Sequence, residues 1–236
     1  MKTISVVIPV YDNLDVFRKS LHSLFEQIYS DLEIIVVDDG SSTKVSNFLK
    51  KEEKKKIDDI IRQENKGAPA ARNLGFQNSE GEFVIFWDSD VLAKPDMLSK
   101  LKNVLESNQE ASYCYCNYKL GWKKMPAQKF DPEQLRQNNY IHTTSLIRSE
   151  DMVLWDEDLD RLQDWDLWLT FLEQNKKGVW LDEYSFKLVP NEEGISDWIP
   201  SFVYYPPFRW LPGFKTKVKK YHQARKRIQD KHDLVQ

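Results

Sequence analysis

The alternation of strand-like and helix-like segments in the first hundred residues constrains the fold most. Apolar, strand-like runs lie at Ile4–Val10, Glu33–Val37 and Glu82–Trp87, and Ile57–Arg62 is a weaker third strand. Segments of helical periodicity lie at about residues 14–28, 44–56 and 69–76. Strands that are apolar on both faces and are connected through helices form parallel sheets with helices on both sides. The pattern therefore predicts an α/β domain with a doubly wound, mostly parallel sheet.

The pattern is less regular after residue 110. Strands are predicted at Ala111–Tyr118 and Tyr140–Arg148, a Trp-rich helix at Asp164–Gln174, and one or two strands at Gly178–Leu188. Aromatic residues and prolines are dense from residue 198 to 214, and a basic helical stretch follows. We expect a single domain at 1–197 and an aromatic, basic C-terminal extension at 198–236.

The charge is distributed unevenly between these two parts. The net charge is −3, yet nine Lys and Arg residues face two Asp and Glu residues from Arg209 onward. That tail therefore carries +7 and the preceding chain −10, which argues against nucleic acid as a partner of the body. Lysines beside aromatic rings suit peripheral contact with an anionic membrane over residues 198–227. The alternative is that the aromatics pack on the domain or on a second subunit, with a solvated basic helix.

The expected location is the cytoplasm, with the tail at the inner face of the membrane. No apolar run approaches the ~20 residues that a membrane-spanning helix needs. The apolar stretch Val6–Val10 contains Pro9 and is followed by no small-residue cleavage site. Cys114 and Cys116 lie too close along one predicted strand to form a disulfide easily, which fits a reducing compartment.

Polar and acidic residues follow three of the predicted strands. Pro9, Tyr11 and Asp12 end the first strand, Asp38 and Asp39 the second, and Asp88, Ser89 and Asp90 the fourth. Ligands of open parallel sheets bind beyond the carboxyl ends of the strands. Converging carboxylates repel one another unless a cation lies among them, so these positions predict a nucleotide diphosphate held through Mg²⁺ or Mn²⁺. For any single Asp, capping of a helix or turn is the simpler interpretation.

Five motifs occur in an order and at a spacing that resemble a known family. They are Val6–Tyr11 (VVIPVY), Val37–Ser41 (VDDGS), Asn65–Asn73 (NKGAPAARN), Asp88–Asp90 (DSD) and Gln163–Trp168 (QDWDLW). With these motifs the chain resembles the family 2 glycosyltransferases, inverting enzymes of the GT-A fold, from Ser5 to about Ser196. The resemblance implies a GT-A fold for this domain.

The resemblance also implies the residues of the site. It assigns the donor to Pro9, Tyr11, Asp38, Asp39, Lys66, Arg72, Asp88 and Ser89. In this assignment Tyr11 packs on the nucleotide base, and Asp39 bonds the uracil or ribose. Asp90 holds the Mn²⁺ or Mg²⁺ ion with help from Asp88. Asp164 is the catalytic general base, which takes the proton of the acceptor hydroxyl, and Gln163 stands where Glu is usual in the family.

The implied activity is inverting transfer of a sugar from a nucleotide-diphosphate donor, a UDP-sugar, to a hydroxyl acceptor. The acceptor is expected to be a glycan or lipid-linked hydroxyl in envelope or surface polysaccharide or glycolipid synthesis. A nucleotidyltransferase is disfavoured, because the chain lacks the Gly-rich, basic loop that would follow the first strand.

One departure from the family pattern concerns the metal and the diphosphate. Many relatives carry a Tyr-Arg-x-His pattern where this chain has Phe186–Val189, so Val189 stands in place of a histidine that completes the metal site or touches the diphosphate. The alternative function is therefore a catalytically impaired nucleotide-sugar-binding or scaffold protein of the same fold. His142, in the predicted 140–148 strand, either faces the acceptor or is structural.

Overall fold

The computed structural model describes residues 3–189 and 214–234. The strands within these ranges are β1 (Ile4–Val10), β2 (Leu32–Asp39), β3 (Asp59–Gln63), β4 (Phe83–Phe86), β5 (Val91–Ala93), β6 (Ala111–Leu120), β7 (Lys123–Met125), β8 (Leu146–Arg148) and β9 (Lys177–Leu188). The helices are α1 (Leu14–Phe25), α2 (Val45–Phe48), α3 (Lys51–Lys54), α4 (Ala68–Gln77), α5 (Met97–Glu106), α6 (Pro132–Gln137), α7 (Gln163–Glu173) and α8 (Phe214–Lys231).

The strands form one sheet in the order β3-β2-β1-β4-β8-β6-β9-β5, with β7 paired to β6. The pairs among β1, β2, β3 and β4 are parallel, as is the pair of β6 and β9. Antiparallel pairs join β8 to β4 and β6, β5 to β9, and β7 to β6. The predicted α/β fold with a parallel-rich sheet flanked by helices is thus confirmed, and the second half of the sheet is mixed.

Helices cover both faces of the sheet because successive side chains of its strands point to opposite sides. Val6 and Ile8 of β1 belong to one core cluster, which includes apolar residues of α1 and α5. Val7 belongs to the other cluster, which includes residues of α4 and α7. Gly75 of α4 lets that helix approach β1 closely, since a Cβ at this position would lie 2.3 Å from Val7 Cγ1. Because β1, β2, β3 and β4 pair in parallel, their carboxyl ends lie at one edge of the sheet.

The charged helix predicted at residues 44–56 is wrong as a continuous element. It is divided into α2 and α3, because Leu49 has an extended backbone with ψ 139°. Arg18 donates a hydrogen bond to the Phe48 carbonyl oxygen at 2.7 Å, which holds the end of α2. Lys50 N donates to Glu53 Oε2 at 2.7 Å at the start of α3.

The strand predicted at Tyr140–Arg148 is also wrong for most of its length, since β8 covers Leu146–Arg148 alone. The preceding residues are irregular because groups of α7 bind them in place of a neighbouring strand. Trp168 Nε1 donates to the Ile141 carbonyl oxygen at 3.0 Å. This irregular segment runs past the start of α7 and carries side chains into the candidate site.

Helix α8 packs against the rest of the described chain. Ile228 is fully buried, and His232, just after the helix, hydrogen-bonds Asp166 Oδ1 of α7 through Nε2 at 2.8 Å. The opposite face is basic and exposed. The predicted 197/198 boundary and the aromatic segment 198–213 lie outside the described residues. No helix in the described ranges combines the length and apolarity needed to cross a membrane.

Candidate active site

The loops that follow β1 and β2 are tied together at the carboxyl edge of the sheet. Pro9 is buried within β1, whereas the Tyr11 side chain just beyond it is 54% exposed. Asp12 has a left-handed backbone with φ 49°, and its Oδ1 accepts hydrogen bonds from Ser42 N at 2.8 Å and Ser42 Oγ at 2.7 Å. The exposed ring of Tyr11 is thus presented on a braced loop, as a surface on which a flat ligand can stack.

Asp38 uses its carboxylate to hold the loop after β2. It is buried, and it accepts hydrogen bonds from Ser41 N at 2.9 Å and Val45 N at 3.1 Å, together with the Arg62 guanidinium. Burial opposes ionisation, yet these hydrogen bonds outweigh it and keep the pKa of Asp38 below its ordinary value. The described contacts of Asp38 are therefore internal to the protein.

Asp39 connects the end of β2 to the loop before α4. Its Oδ1 accepts from Gln63 Nε2 at 2.7 Å and Lys66 N at 2.9 Å, and its Oδ2 accepts from Gly67 N at 2.9 Å. The Lys66 side chain is exposed beside this buried carboxylate. The contacts fix the Asn65–Gly67 segment next to the Tyr11 and Asp38 loops.

Asp88, Ser89 and Asp90 follow β4 and are half-buried. Burial and the negative charge of Asp88 raise the pKa of Asp90 to about 7. Two carboxylates that repel each other in this way fit Mg²⁺ or Mn²⁺, which prefer oxygen ligands and would relieve the repulsion. Within residues 3–189 and 214–234, no cluster of three or more His, Cys, Asp or Glu side chains is arranged to hold a metal ion. Phosphate and water oxygens would therefore have to complete the coordination.

Val189 lies directly beside this acidic pair. Its backbone N–H donates to the Asp90 carbonyl oxygen at 3.0 Å. The aliphatic side chain at this position supplies no hydrogen-bonding or metal-binding group.

Arg72 of α4 connects the acidic pair to α7. Its guanidinium donates to Asp88 Oδ1 at 2.9 Å and to Gln163 Oε1 at 3.2 Å. Its Cζ lies 4.6 Å from the centroid of the Trp155 ring, and the residue is buried. Arg72 therefore places a fixed positive charge between the DSD motif and the first turn of α7.

Asp164 lies in the first turn of α7, facing the same cluster. Its Oδ2 accepts a hydrogen bond from Asn139 Nδ2 at 2.7 Å, and its Oδ1 accepts from Trp165 N at 2.9 Å. Burial raises the pKa of Asp164 to about 6, with a further increase from Asp88 and an opposing effect from the Trp165 N–H and Arg72. A carboxylate tuned in this way can accept a proton near neutral pH.

His142 reaches the cluster from the irregular segment before β8. Its Nε2 lies 3.9 Å from Asp88 Oδ2, and its Nδ1 accepts a hydrogen bond from Thr144 N at 3.0 Å. Burial lowers the pKa of His142 to about 4, although the Asp88 charge opposes this effect. The sequence alone leaves the position of His142 open and does not point to Asn139, because the segment that carries both residues is not a regular element.

The structure brings the sequence-predicted residues into two adjacent groups at the carboxyl edge. One group contains Arg72, Asp88, Ser89, Asp90 and Asp164, and the other contains Pro9, Tyr11, Asp38, Asp39 and Lys66. Helix α4 joins the two groups, since Lys66 and Arg72 stand before and within it. The individual roles of these residues remain predictions.

The chain is similar in sequence to known glycosyltransferases. The sequence model of the family described as "Glycosyl transferase family 2" matches residues 5–159. An uncharacterised glycosyltransferase of Haemophilus influenzae is 27% identical over 190 residues, which cover 76% of this chain and 75% of the relative. A Bacillus subtilis protein assigned provisionally to teichuronic acid biosynthesis, the glycosyltransferase TuaG, is 27% identical over 210 residues, covering 83% and 82% of the two chains.

Solved structures of glycosyltransferases have the same fold. S. aureus TarS 1-349, in complex with UDP-GlcNAc, superposes with a TM-score of 0.70 at 19% identity, over 84% of this chain and 62% of the TarS 1-349 chain. The mannosyltransferase PcManGT from Pyrobaculum calidifontis, in complex with GDP-Man and Mn²⁺, gives a TM-score of 0.65 at 17% identity, over 81% and 58% of the two chains. The chain therefore has the GT-A fold and spans about three fifths of these two solved chains.

Proposed function

The chain belongs to glycosyl transferase family 2, and from this premise we propose that it transfers a sugar from a UDP-sugar to an acceptor hydroxyl, with inversion at the anomeric carbon. One observation carries the proposal. A carboxylate tuned for proton transfer, Asp164, faces the same cluster as the acidic pair Asp88 and Asp90, with the Arg72 guanidinium between them. A single displacement requires a base on one side of the reacting carbon and a site for the leaving diphosphate on the other side.

The nucleotide binds over the loops after β1 and β2. The base stacks on the exposed Tyr11 ring, which the braced Asp12 loop presents. The Asp39 carboxylate, which already orders the segment before α4, accepts a further hydrogen bond from the uracil or the ribose. Asp38 holds the loop after β2 through its hydrogen bonds, and the exposed ammonium of Lys66 serves as a cation for the diphosphate. TarS, with its UDP-GlcNAc complex, supports uracil as the base.

The diphosphate lies at Asp88, Ser89 and Asp90. Asp90 and Asp88 would hold Mn²⁺ or Mg²⁺ there, and the bound ion would neutralise charge on the leaving diphosphate. The Mn²⁺ ion in the PcManGT complex supports this assignment. Arg72 keeps Asp88 in position through its 2.9 Å hydrogen bond and adds a positive charge that disperses the negative charge of the leaving group.

Asp164 acts as the general base. Asn139 and the Trp165 N–H orient its two oxygens, so the carboxylate faces the acceptor in a fixed direction. The acceptor oxygen attacks the anomeric carbon and forms the new C–O bond while its proton passes to Asp164. The bond between the anomeric carbon and the phosphate oxygen breaks at the same time, and its electron pair leaves with UDP.

The acceptor is a glycan or lipid-linked hydroxyl of a surface polysaccharide or glycolipid, and the enzyme works in the cytoplasm at the inner face of the membrane. The assignment of TuaG to teichuronic acid biosynthesis supports the substrate class. The basic face of α8, formed by Lys219, Lys220 and Lys226, is exposed while the opposite face packs on the domain. This orientation suits attraction to anionic lipid headgroups.

The test is release of nucleotide from a set of donors in the presence of Mn²⁺. UDP-glucose, UDP-galactose, UDP-GlcNAc and GDP-mannose are compared at equal concentration, with water as a slow acceptor and a set of sugar and glycolipid acceptors added afterwards. The proposal expects turnover of a UDP-sugar, and NMR of the product should show the anomeric configuration opposite to that of the donor. Retained configuration, or turnover of GDP-mannose alone, would reject the proposal as stated.

A further inference from the structure

We propose that His142 is a further residue of the donor site, whose Nε2–H donates a hydrogen bond to the diphosphate that lies beside Asp88. The inference rests on the proposed function, since it requires a nucleotide diphosphate in this position. It assigns to His142 the stabilisation of the leaving group, and it excludes His142 as a metal ligand in the arrangement that the structure shows.

The hydrogen bond at Nδ1 assigns the tautomer of His142. Thr144 N–H donates to Nδ1 at 3.0 Å, so Nδ1 carries a lone pair and no proton. The ring is then neutral, and its proton is on Nε2. An Nε2 that carries a proton cannot coordinate a metal ion, but it can donate to an anionic oxygen.

Among the described residues, the polar contact of His142 Nε2 is with Asp88 Oδ2. The two atoms lie 3.9 Å apart, beyond the roughly 3.2 Å reach of a good N–H···O hydrogen bond. The other oxygen of Asp88 is already bound by Arg72 at 2.9 Å. The donor of His142 and the charge of Arg72 therefore flank the same carboxylate, and a phosphate oxygen beside Asp88 comes within reach of both.

The imidazole is held in this orientation from several sides. Its ring centroid lies 4.6 Å from that of Tyr118 and 5.1 Å from that of Phe186. Ser145 Oγ donates to the His142 carbonyl oxygen at 2.7 Å, which fixes the backbone. A donor that is fixed before the reaction stabilises developing charge without reorganisation.

Val189, the other residue placed beside the acidic pair, supplies no side-chain donor. Its backbone N–H donates to the Asp90 carbonyl oxygen, and its side chain is aliphatic. His142 approaches from the segment before β8 and supplies the polar side chain that Val189 does not.

Two substitutions separate the proposed donor from a purely structural role. The side-chain oxygen in His142→Asn lies near the position of Nδ1 and can still accept from Thr144 N, but no group replaces Nε2–H. The amide nitrogen in His142→Gln reaches the position of Nε2 and keeps a donor there, while the Thr144 contact is lost. We expect His142→Asn to weaken UDP binding in Mn²⁺ by about tenfold or more, and His142→Gln to stay within about threefold of the wild type.

The measurement is calorimetric titration of wild type and both variants with UDP and with UMP, in the presence of Mn²⁺, after thermal melts of each protein. Weakening by His142→Asn that is larger for UDP than for UMP supports a contact with the β-phosphate. The reverse order, with His142→Gln the damaging change and His142→Asn unaffected, overturns the inference and leaves the proposed function standing. A wild type that binds no UDP rejects the proposed function itself.

A measurement on the unaltered protein covers the case in which either variant fails to fold. In ¹H–¹⁵N NMR of the wild type, the His142 Nε2–H resonance should shift on addition of UDP with Mg²⁺ and stay nearly unchanged with UMP. No response to UDP that binds would contradict the inference.

Discussion

The pH dependence of sugar transfer provides a direct test of Asp164 as the base. With a pKa of about 6, Asp164 is about nine-tenths ionised at pH 7 and about one-tenth ionised at pH 5. Only the ionised form accepts the acceptor proton, so turnover should fall about tenfold from pH 7 to pH 5. Burial raises this pKa, and the activity is therefore lost at a higher pH than for an ordinary Asp.

Replacement by asparagine removes the proton acceptor and keeps the shape of the side chain. Asp164→Asn should lower turnover by about 10²- to 10⁴-fold, the usual contribution of a general base, and should leave UDP affinity unchanged. Asp160→Asn is the matched control, since Asp160 is an exposed acid in the preceding loop. Initial rates of UDP release from pH 5 to 8 at saturating donor measure both effects.

Protonation of a second carboxyl group, that of Asp90, would produce a similar pH profile. The dependence of the profile on Mn²⁺ distinguishes Asp90 from Asp164. Asp90 has a raised pKa of about 7, but bound metal would favour its ionised form. If the fall in turnover reflects protonation of Asp90, its midpoint should therefore move to lower pH as the Mn²⁺ concentration is raised. If it reflects protonation of Asp164, the midpoint should not change with Mn²⁺. A flat profile from pH 5 to 7, or an Asp164→Asn variant within a few-fold of the wild type, would refute the assignment.

Three further predictions concern the metal, the last helix and the membrane. Asp90→Ala should remove the dependence of UDP binding on Mn²⁺, which calorimetry with and without the metal measures. Ile228→Ala should destabilise the fold by about 2–5 kcal/mol in urea unfolding, because Ile228 is fully buried where α8 meets the domain. Unchanged stability would show that α8 does not contribute to the fold. Charge reversal of Lys219, Lys220 and Lys226 to Glu should abolish sedimentation with anionic liposomes, while equal sedimentation would reject membrane docking through this face.

The first half of the fold could be predicted because its signals are local. The run Ile4–Val10 is apolar on both faces, as expected for the strand that pairs with β2 and β4. The acidic residues at strand ends could be found for the same reason, since a parallel sheet brings its carboxyl ends to one edge. The helix predicted at Asp164–Gln174 lies at Gln163–Glu173, one residue earlier.

The sequence-based predictions that are wrong concern segments in which tertiary contacts override the local preference for helix or strand. Leu49 interrupts the predicted helix at 44–56, between α2, whose end Arg18 of α1 holds, and α3. The segment before β8 has strand-like residues, yet Trp168 and Asp164 bind its polar groups and keep it irregular. Such contacts come from residues distant in sequence, so no local pattern contains them.

The division of roles among the acidic residues was equally hard to predict. Asp38 and Asp39 are adjacent in sequence, but Asp38 holds its own loop while Asp39 holds the segment before α4. The position of His142 beside Asp88 depends on the path of an irregular segment, which the sequence alone does not show.

In the proposed function, the carboxyl edge of this sheet binds a nucleotide diphosphate through a divalent cation. The decisive measurement is calorimetric titration of the wild-type chain with UDP, GDP and TDP, each with and without Mn²⁺. We expect binding of UDP that depends on Mn²⁺ and little or no binding of GDP and TDP. Absence of binding by all three nucleotides in the presence of Mn²⁺ would contradict the proposed function, and Val189 would then be the first position to change to histidine.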